Sequence, residues 1–205
     1  MQNKPVTCLV IATLLEAKPF LKGLSLKRIS SKPFPVYSGG NITAVISGIG
    51  KANAAMATAY ACLELGPLLL VNLGAAGATD ASLPVGANLH VYHALEYDRP
   101  GLRFKMPHEH TPDILKGFSL AAIATQDRPA LECGERRALA ERARLVDMES
   151  ASFIQACRKF GKKCYVFKFV TDTPIHTHGD DIVSNIEKYR DGFFEFFRQS
   201  VLPRL

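Results

Sequence analysis

TAVISGIGKANAAMATAYACLELGPLLLVNLGAAGATD, residues 43–80, contains two strand-like runs, residues 43–46 and 68–71, each followed by a glycine-rich segment. The alanines between the two runs favour a helix that can lie close against a sheet. This order predicts a βαβ unit whose glycine-rich turns, residues 47–50 and 72–77, form the rim of a crevice, because open α/β sheets bind ligands at the carboxyl ends of their strands. The alternative is that the glycines only allow tight turns, since short glycine patterns are weak indicators of a ligand site.

The rest of the chain continues the alternation of strand-like and helical segments. Further strands are predicted at residues 6–12, 88–95, 120–125, 145–146 and 164–171, and helices at residues 135–144 and 180–202. The proline-bearing segment 97–116 has neither the hydrophobic period of a helix nor that of a strand, so it is predicted to be a long loop over the site. This order of elements is typical of an α/β protein.

Length and composition are those of an ordinary globular protein. The 205 residues fit one domain, residues 1–205, and 47% of them are hydrophobic while 21% are charged. No apolar run reaches the roughly 18 residues of a membrane span. The apolar stretch 6–15 runs into Glu16 without the small-residue cleavage site of a signal peptide. We therefore expect a cytoplasmic protein without a membrane partner.

Cysteine spacing and charge distribution argue against a metal or nucleic-acid function. The five cysteines are odd in number and widely spaced, which is typical of reduced thiols rather than of disulfides or a zinc site. The formal charge of +6 comes from scattered pairs such as Arg136-Arg137, which indicate a solvated surface. His108-Glu109-His110 lies in the predicted loop without a further spaced ligand, so a surface role is favoured. No metal or cofactor is predicted, and no nucleic-acid partner.

Three carboxylates follow predicted strands at the same edge of the sheet. Glu16 comes just after the first strand, Glu149 after a short strand at the start of a helix, and Asp172 at the end of the last core strand. A carboxylate at this rim could act as a base or an acid if partly desolvated. The alternatives are structural, a first-turn helix glutamate for Glu16 and an N-cap or turn aspartate for Asp172.

Four motifs give the chain a resemblance to a known family. They are Ser47-Gly48-Ile49-Gly50-Lys51-Ala52-Asn53-Ala54-Ala55, Asn72-Leu73-Gly74-Ala75-Ala76-Gly77, Val146-Asp147-Met148-Glu149-Ser150-Ala151 and Val170-Thr171-Asp172. In order and approximate spacing the chain resembles the nucleoside phosphorylase and nucleosidase superfamily, most closely the methylthioadenosine/S-adenosylhomocysteine nucleosidase branch, with futalosine hydrolase nearby. The resemblance implies a three-layer α/β/α domain around a mixed, largely parallel sheet, assembled as a homodimer.

The resemblance also implies roles for individual residues. Glu16 would activate water, Asp172 would donate a proton to N7 of a purine, and Glu149 would hold the ribose hydroxyls together with Met148. The other substrate-binding positions that it implies are Gly50, Ala75, Gly77 and Lys168. No cofactor is implied, and the partner is a small nucleoside.

Departures from the family pattern favour hydrolysis over phosphorolysis. Ala75 stands where phosphorylases usually place a hydroxyl residue, and Lys168 stands where many members have arginine, so a phosphate pocket is poorly supported. Pro129 falls near the position where the nucleosidases stack an aromatic residue on adenine, which leaves the base open. The leading hypothesis is a nucleosidase for purine nucleosides of the methylthioadenosine/S-adenosylhomocysteine kind. The alternatives are a purine nucleoside phosphorylase that uses inorganic phosphate and a non-catalytic nucleoside-binding protein on the same fold.

Overall fold

The computed structural model of the chain describes residues 6–99, 108–176 and 178–205, and these ranges contain ten strands and five α-helices. The strands are β1 (Thr7–Ile11), β2 (Lys27–Ser30), β3 (Val36–Gly39), β4 (Ile42–Ile46), β5 (Leu69–Ala78), β6 (Asn88–Glu96), β7 (His108–His110), β8 (Leu120–Thr125), β9 (Leu145–Asp147) and β10 (Lys163–Asp172). The helices are α1 (Leu14–Gly23), α2 (Lys51–Tyr60), α3 (Cys133–Ala140), α4 (Ser150–Lys159) and α5 (Gly179–Phe196). Two π-helical turns, Ala61–Leu65 and Phe197–Val201, extend α2 and α5, and a 3-10 turn, Leu202–Arg204, follows.

The ten strands form one mixed sheet in the order β10-β6-β8-β9-β5-β1-β4-β3-β2, with β7 paired to β6. Because β5 also pairs in parallel with β10, the strands β5, β9, β8, β6 and β10 close into a ring. Of the ten pairings among the described strands, five are parallel and five are antiparallel. The predicted α/β fold with a mixed sheet is confirmed. The sheet is less parallel than predicted, and β7, which lies in the segment predicted as a loop, contributes one of the antiparallel pairings.

Helices cover both faces of the sheet, which gives the three predicted layers. The helices α2 and α4 pack together on one face, while α1 and α5 pack together on the other. In β1, Val10 joins the apolar cluster beneath α2 and α4, whereas Leu9 and Ile11 join the cluster beneath α1 and α5. Successive strand residues point to opposite faces, so a strand covered on both sides must be apolar at every position.

The second glycine-rich segment is part of a strand, so its prediction as a turn was wrong. Residues 72–77 lie inside β5, which pairs with β10 over most of its length and with β1 and β9 over parts of it. These pairings satisfy the backbone hydrogen bonds, which offsets the weak strand preference of glycine. Glycine within a strand often marks the close approach of another group, and here the approaching groups are carboxylates of the candidate site.

Several element boundaries also differ from the predictions. The helix expected at residues 135–144 begins and ends earlier, as α3, and the one expected at 180–202 changes to a π-helical turn at Phe197. The segment 97–116 contains β7, while its residues 100–107 lie outside the described ranges. All five cysteines are free thiols, as predicted. Within the part of the chain that the structure describes, no helix has the length and apolar character needed to cross a membrane.

Candidate active site

A cavity of about 650 Å³, counting the space at its open mouth, lies beside the carboxyl-terminal parts of β1, β5 and β10. Residues at the end of β9 and from α1, α3, α5 and the segment 128–130 complete its wall. Of the predicted site residues, six line the cavity, namely Glu16, Ala75, Gly77, Met148, Glu149 and Asp172. Gly50 and Lys168 are outside this lining and contact residues that belong to it.

Glu16 connects the first turn of α1 to the sheet. Its Oε2 accepts hydrogen bonds from the Thr13 N–H at 3.0 Å and the Thr13 hydroxyl at 2.6 Å, and Thr13 Oγ1 accepts the Glu16 N–H in return, which forms a capping box. Its Oε1 accepts the Ala75 N–H at 2.9 Å. Gly74 permits this approach, because a Cβ there would lie 2.7 Å from Oε1. The same carboxylate therefore caps a helix and lines the cavity.

Glu149 lies just before α4 and reaches the start of α2. Its Oε1 accepts the Gly50 N–H at 2.9 Å, and Gly50 has a φ of 101°, a conformation that favours glycine. Burial raises the pKa of Glu149 to about 7; the Lys168 ammonium and the Gly50 N–H oppose the shift, while Asp147 adds to it. The Glu149 carboxyl group therefore changes charge near neutral pH.

A buried ion pair joins Lys168 and Asp147 next to Glu149. The Lys168 Nζ lies 2.9 Å from Asp147 Oδ2, and each side chain is 1% exposed. Asp147 also accepts hydrogen bonds from the Thr125 hydroxyl at 2.7 Å and from the Ser150 N–H and hydroxyl at 2.9 and 2.6 Å. Burial disfavours the Lys168 ammonium, but the carboxylates of Asp147 and Glu149 outweigh burial and raise its pKa. Lys168 thus remains a cation that balances part of the negative charge of the site.

Asp172, at the end of β10, forms an ion pair with Arg136 of α3, and both side chains are at most 3% exposed. The prediction that Arg136 belongs to a solvated surface was wrong. Its neighbour Arg137 is exposed, whereas Arg136 shares the buried face of α3 with Leu139, three residues further along. Residues three apart lie on one side of a helix, so this spacing is the signal in the sequence that could have placed Arg136 inside.

The His108-Glu109-His110 motif forms β7, which pairs with β6. His108 and Glu109 are exposed, and His110 Nε2 lies 3.0 Å from Glu96 Oε1. Among residues 6–99, 108–176 and 178–205, no group of three or more histidine, cysteine, aspartate or glutamate side chains is arranged to hold a metal ion. The motif therefore belongs to the polar surface of the sheet in this structure.

Gly77→Ala is expected to lower the free energy of unfolding by about 1–3 kcal/mol, the usual cost of overpacking. A Cβ at Gly77 would lie 2.7 Å from Asp172 Oδ2 and 3.0 Å from Arg136 Nη1, and the buried pair has little room to move. Urea unfolding measures the change. The matched control is Gly134→Ala in α3, where a Cβ would meet nothing within 4 Å. Equal stability of the two variants would contradict the close packing at Gly77.

Comparison with known proteins shows what the chain is similar to. Residues 34–132 match the family model of the phosphorylase superfamily. A 5′-methylthioadenosine/S-adenosylhomocysteine nucleosidase of Staphylococcus haemolyticus (strain JCSC1435) is 30% identical over 150 residues, which are 62% of this chain and 66% of that protein. The alignment thus spans slightly less than two thirds of the relative's length. Over residues 34–132 the chain is thus similar to the phosphorylase superfamily.

The known proteins to which the chain is similar include 5′-methylthioadenosine/S-adenosylhomocysteine nucleosidases. The Helicobacter pylori nucleosidase solved with butyl-thio-DADMe-Immucillin-A superposes with a TM-score of 0.83 at 20% identity, covering 96% of this chain and 97% of that chain. The futalosine hydrolase of Helicobacter pylori strain 26695 superposes with a TM-score of 0.84 at 19% identity, covering 95% of this chain and 96% of that one. At these identities the likeness shows the shared fold.

Proposed function

We propose that the chain hydrolyses the N-glycosidic bond of a purine nucleoside of the methylthioadenosine or S-adenosylhomocysteine kind and releases the free base and the sugar. The observation that carries the proposal is the placement of Glu16, Glu149 and Asp172 around one cavity. Breaking this bond develops positive charge on the sugar and negative charge on the base, so the reaction needs an anion near the sugar and stabilisation of the base. The name of the Staphylococcus haemolyticus relative supports the substrate class.

Four residues that line the cavity each have a role in this reaction. Glu16 accepts a proton from water, whose oxygen bonds to the anomeric carbon of the sugar. Glu149 accepts hydrogen bonds from the 2′- and 3′-hydroxyls of the ribose, and Met148 packs against the sugar. The base binds at Asp172, and the electrons of the broken bond leave with it. A proton then completes the free base, so that water is divided between the two products.

Backbone donors in the site support water rather than phosphate as the nucleophile. The Ala75 N–H donates a hydrogen bond to Glu16 at 2.9 Å, and the Gly50 N–H donates one to Glu149 at 2.9 Å. A phosphate dianion needs such free donors, usually with arginine forks. Buried carboxylates also outnumber buried cations here. The carboxylates are Glu16, Asp147, Glu149 and Asp172, and the cations are Arg136 and Lys168. A second anion beside them would be repelled, and more strongly than in water.

The apolar part of the cavity suits a nucleoside whose 5′ end is apolar. Ile182 and Ile186 of α5 line the cavity together with Ile49. Such side chains contribute to binding by removing apolar surface from water, at about 25 cal/mol per Å². A thioether at the 5′ position is a group of this type.

The proposal is tested by measuring the release of free base from 5′-methylthioadenosine, S-adenosylhomocysteine, adenosine and inosine. We expect base and free sugar from at least one purine nucleoside in buffer that contains no phosphate. Turnover only when phosphate is added would make the protein a phosphorylase. Tight binding of these nucleosides without release of base from any of them would make it a nucleoside-binding protein.

We also propose that the chain acts as a single domain over residues 1–205, and as a cytoplasmic homodimer. Met56 in α2 and Leu63 in the turn that follows it are seven residues apart, Ile49 lies just before α2, and the three side chains are 54%, 67% and 55% exposed. A row of exposed apolar side chains indicates a surface that binds another protein. Light scattering should give twice the mass of the 22.4 kDa chain. The mass of one chain at assay concentration would contradict the dimer.

A further inference from the structure

A single lysine faces three of the buried carboxylates of the site. Lys168, on β10, is 1% exposed. Burial disfavours its ammonium, which is stabilised by the carboxylates of Asp147, Glu149 and Glu16. The other buried cation that the structure describes at the site, Arg136, is paired with the carboxylate at the end of β10. Lys168 therefore provides the positive charge for this group of three carboxylates.

Asp147 fixes the position of the ammonium. Its Oδ2 lies 2.9 Å from the Lys168 Nζ and also accepts the N–H and the hydroxyl of Ser150, while its Oδ1 accepts the Thr125 hydroxyl. Ser150 and Thr125 are themselves fully buried. A carboxyl group that accepts this many hydrogen bonds is the carboxylate, and the donors fix its orientation. The ammonium is thus held at one place.

Gly74 of β5 leaves room for the ammonium beside Glu16. A Cβ at Gly74 would lie 3.8 Å from the Lys168 Nζ and 2.7 Å from Glu16 Oε1, so both charged groups reach the same point over β5. Glu16 and Glu149 line the cavity, whereas Lys168 lies outside its lining. The ammonium can therefore act on a bound nucleoside through these carboxylates rather than by touching it.

We propose that Lys168 is a positioning residue that keeps Glu149 in the carboxylate form, which accepts the ribose hydroxyls, and that Asp147 holds Lys168 in place for this role. The inference rests on the proposed function. A buried carboxylate without a nearby cation tends to take up a proton, because burial disfavours its charged form. Hydrogen bonds to a charged acceptor are about twice as strong as those to a neutral one. The sugar would thus be held less tightly by a protonated Glu149.

The charge of Glu149 depends on burial and on four neighbouring groups that the structure describes. Burial raises its pKa to about 7, and the carboxylates of Asp147 on β9 and Glu16 on α1 add to this shift. The Lys168 ammonium of β10 and the Gly50 N–H at the start of α2 oppose it. Removing the positive charge of Lys168 should therefore raise this pKa, and removing the negative charge of Asp147 should lower it. Opposite effects from the two partners of one ion pair would not arise if the pair only stabilised the fold.

The first experiment measures kcat/KM for the best purine nucleoside against pH in three proteins. In the parent, kcat/KM should rise through about pH 7. In Lys168→Met this rise should move up by about 1–3 pH units, the usual effect of a nearby opposite charge, and in Asp147→Asn it should move down by about one unit. Lys163→Met, at the exposed start of β10, is the matched control and should have the profile of the parent. A rise at the same pH in every variant, with kcat/KM lowered equally at all pH values, would overturn the proposal.

A second measurement follows the charge of Glu149 without turnover. In protein labelled with carbon-13 at the glutamate carboxyl groups, the Glu149 signal is the one that is absent from Glu149→Gln. Its titration midpoint should lie near 7 in the parent, higher in Lys168→Met and lower in Asp147→Asn. If Lys168→Met does not fold, an unchanged midpoint in Asp147→Asn would still overturn the proposal. Shifted midpoints without hydrolysis of any purine nucleoside would support the charge coupling and contradict the proposed function.

Discussion

Glu16→Gln should lower kcat for nucleoside hydrolysis by about 10³-fold, within the range that general acid–base catalysis usually contributes. The amide cannot accept the proton of the attacking water. Its single acceptor oxygen can keep the contact with the Thr13 N–H, as glutamine does in capping boxes, so the start of α1 should persist, while the contact with the Ala75 N–H is lost. Steady-state kinetics with the best purine nucleoside, together with circular dichroism, check the prediction.

Glu64→Gln is the matched control, because Glu64 is an exposed glutamate in the turn after α2. Its kcat should equal that of the parent protein. If folded Glu16→Gln retained a kcat within about tenfold of the parent, well short of the usual contribution of a general base, Glu16 would not be the base.

Glu149→Gln should lower kcat/KM by about 10²-fold through both a higher KM and a lower kcat. Hydrogen bonds to a charged acceptor contribute about 1.5–3 kcal/mol each, and those to the ribose hydroxyls should strengthen as the sugar approaches the transition state. The parent should also use a 2′-deoxynucleoside less well than the ribonucleoside, and this difference should shrink in Glu149→Gln.

The pH dependence of kcat/KM provides an independent readout of the same residue. Burial raises the pKa of Glu149 to about 7, and the carboxylate is the form that accepts hydrogen bonds from the sugar. Activity should therefore rise as the pH increases through about 7 and fall below it, where the carboxyl group holds a proton. In Glu149→Gln, kcat/KM should not show this rise with pH. The same rise in the variant, or equal use of ribose and deoxyribose substrates by the parent, would contradict the role of Glu149 in binding the sugar.

The three carboxylates could be predicted because each follows a strand of a parallel core. Glu16 follows β1 and Asp172 ends β10, and both strands pair in parallel with β5, so their carboxyl ends meet at one edge of the sheet. The strand character of residues 72–77 could not be read in the same way, since glycine favours turns, alanine favours helices, and both are depleted in strands. Gly74 and Gly77 occur in β5 because Glu16 and the Arg136–Asp172 pair pass directly over them.

The partner of Arg136 could not be predicted from the sequence, although the helical spacing to Leu139 could have indicated its burial. A buried arginine depends on a carboxylate that arrives from a distant part of the chain, here 36 residues further along. No residue close to Arg136 in the sequence indicates that partner. The short strands β2 and β7 are similar cases, because each is defined by its antiparallel neighbour and lacks a strong apolar pattern of its own.

The nucleophile decides the reaction, and phosphorus NMR with excess inorganic phosphate tests it most directly. While the protein cleaves its best purine nucleoside, phosphate should remain the only phosphorus signal, free sugar should form in equal amount to the base, and the rate should match that in phosphate-free buffer. A growing signal of sugar 1-phosphate, with no release of base when phosphate is withheld, would contradict hydrolysis.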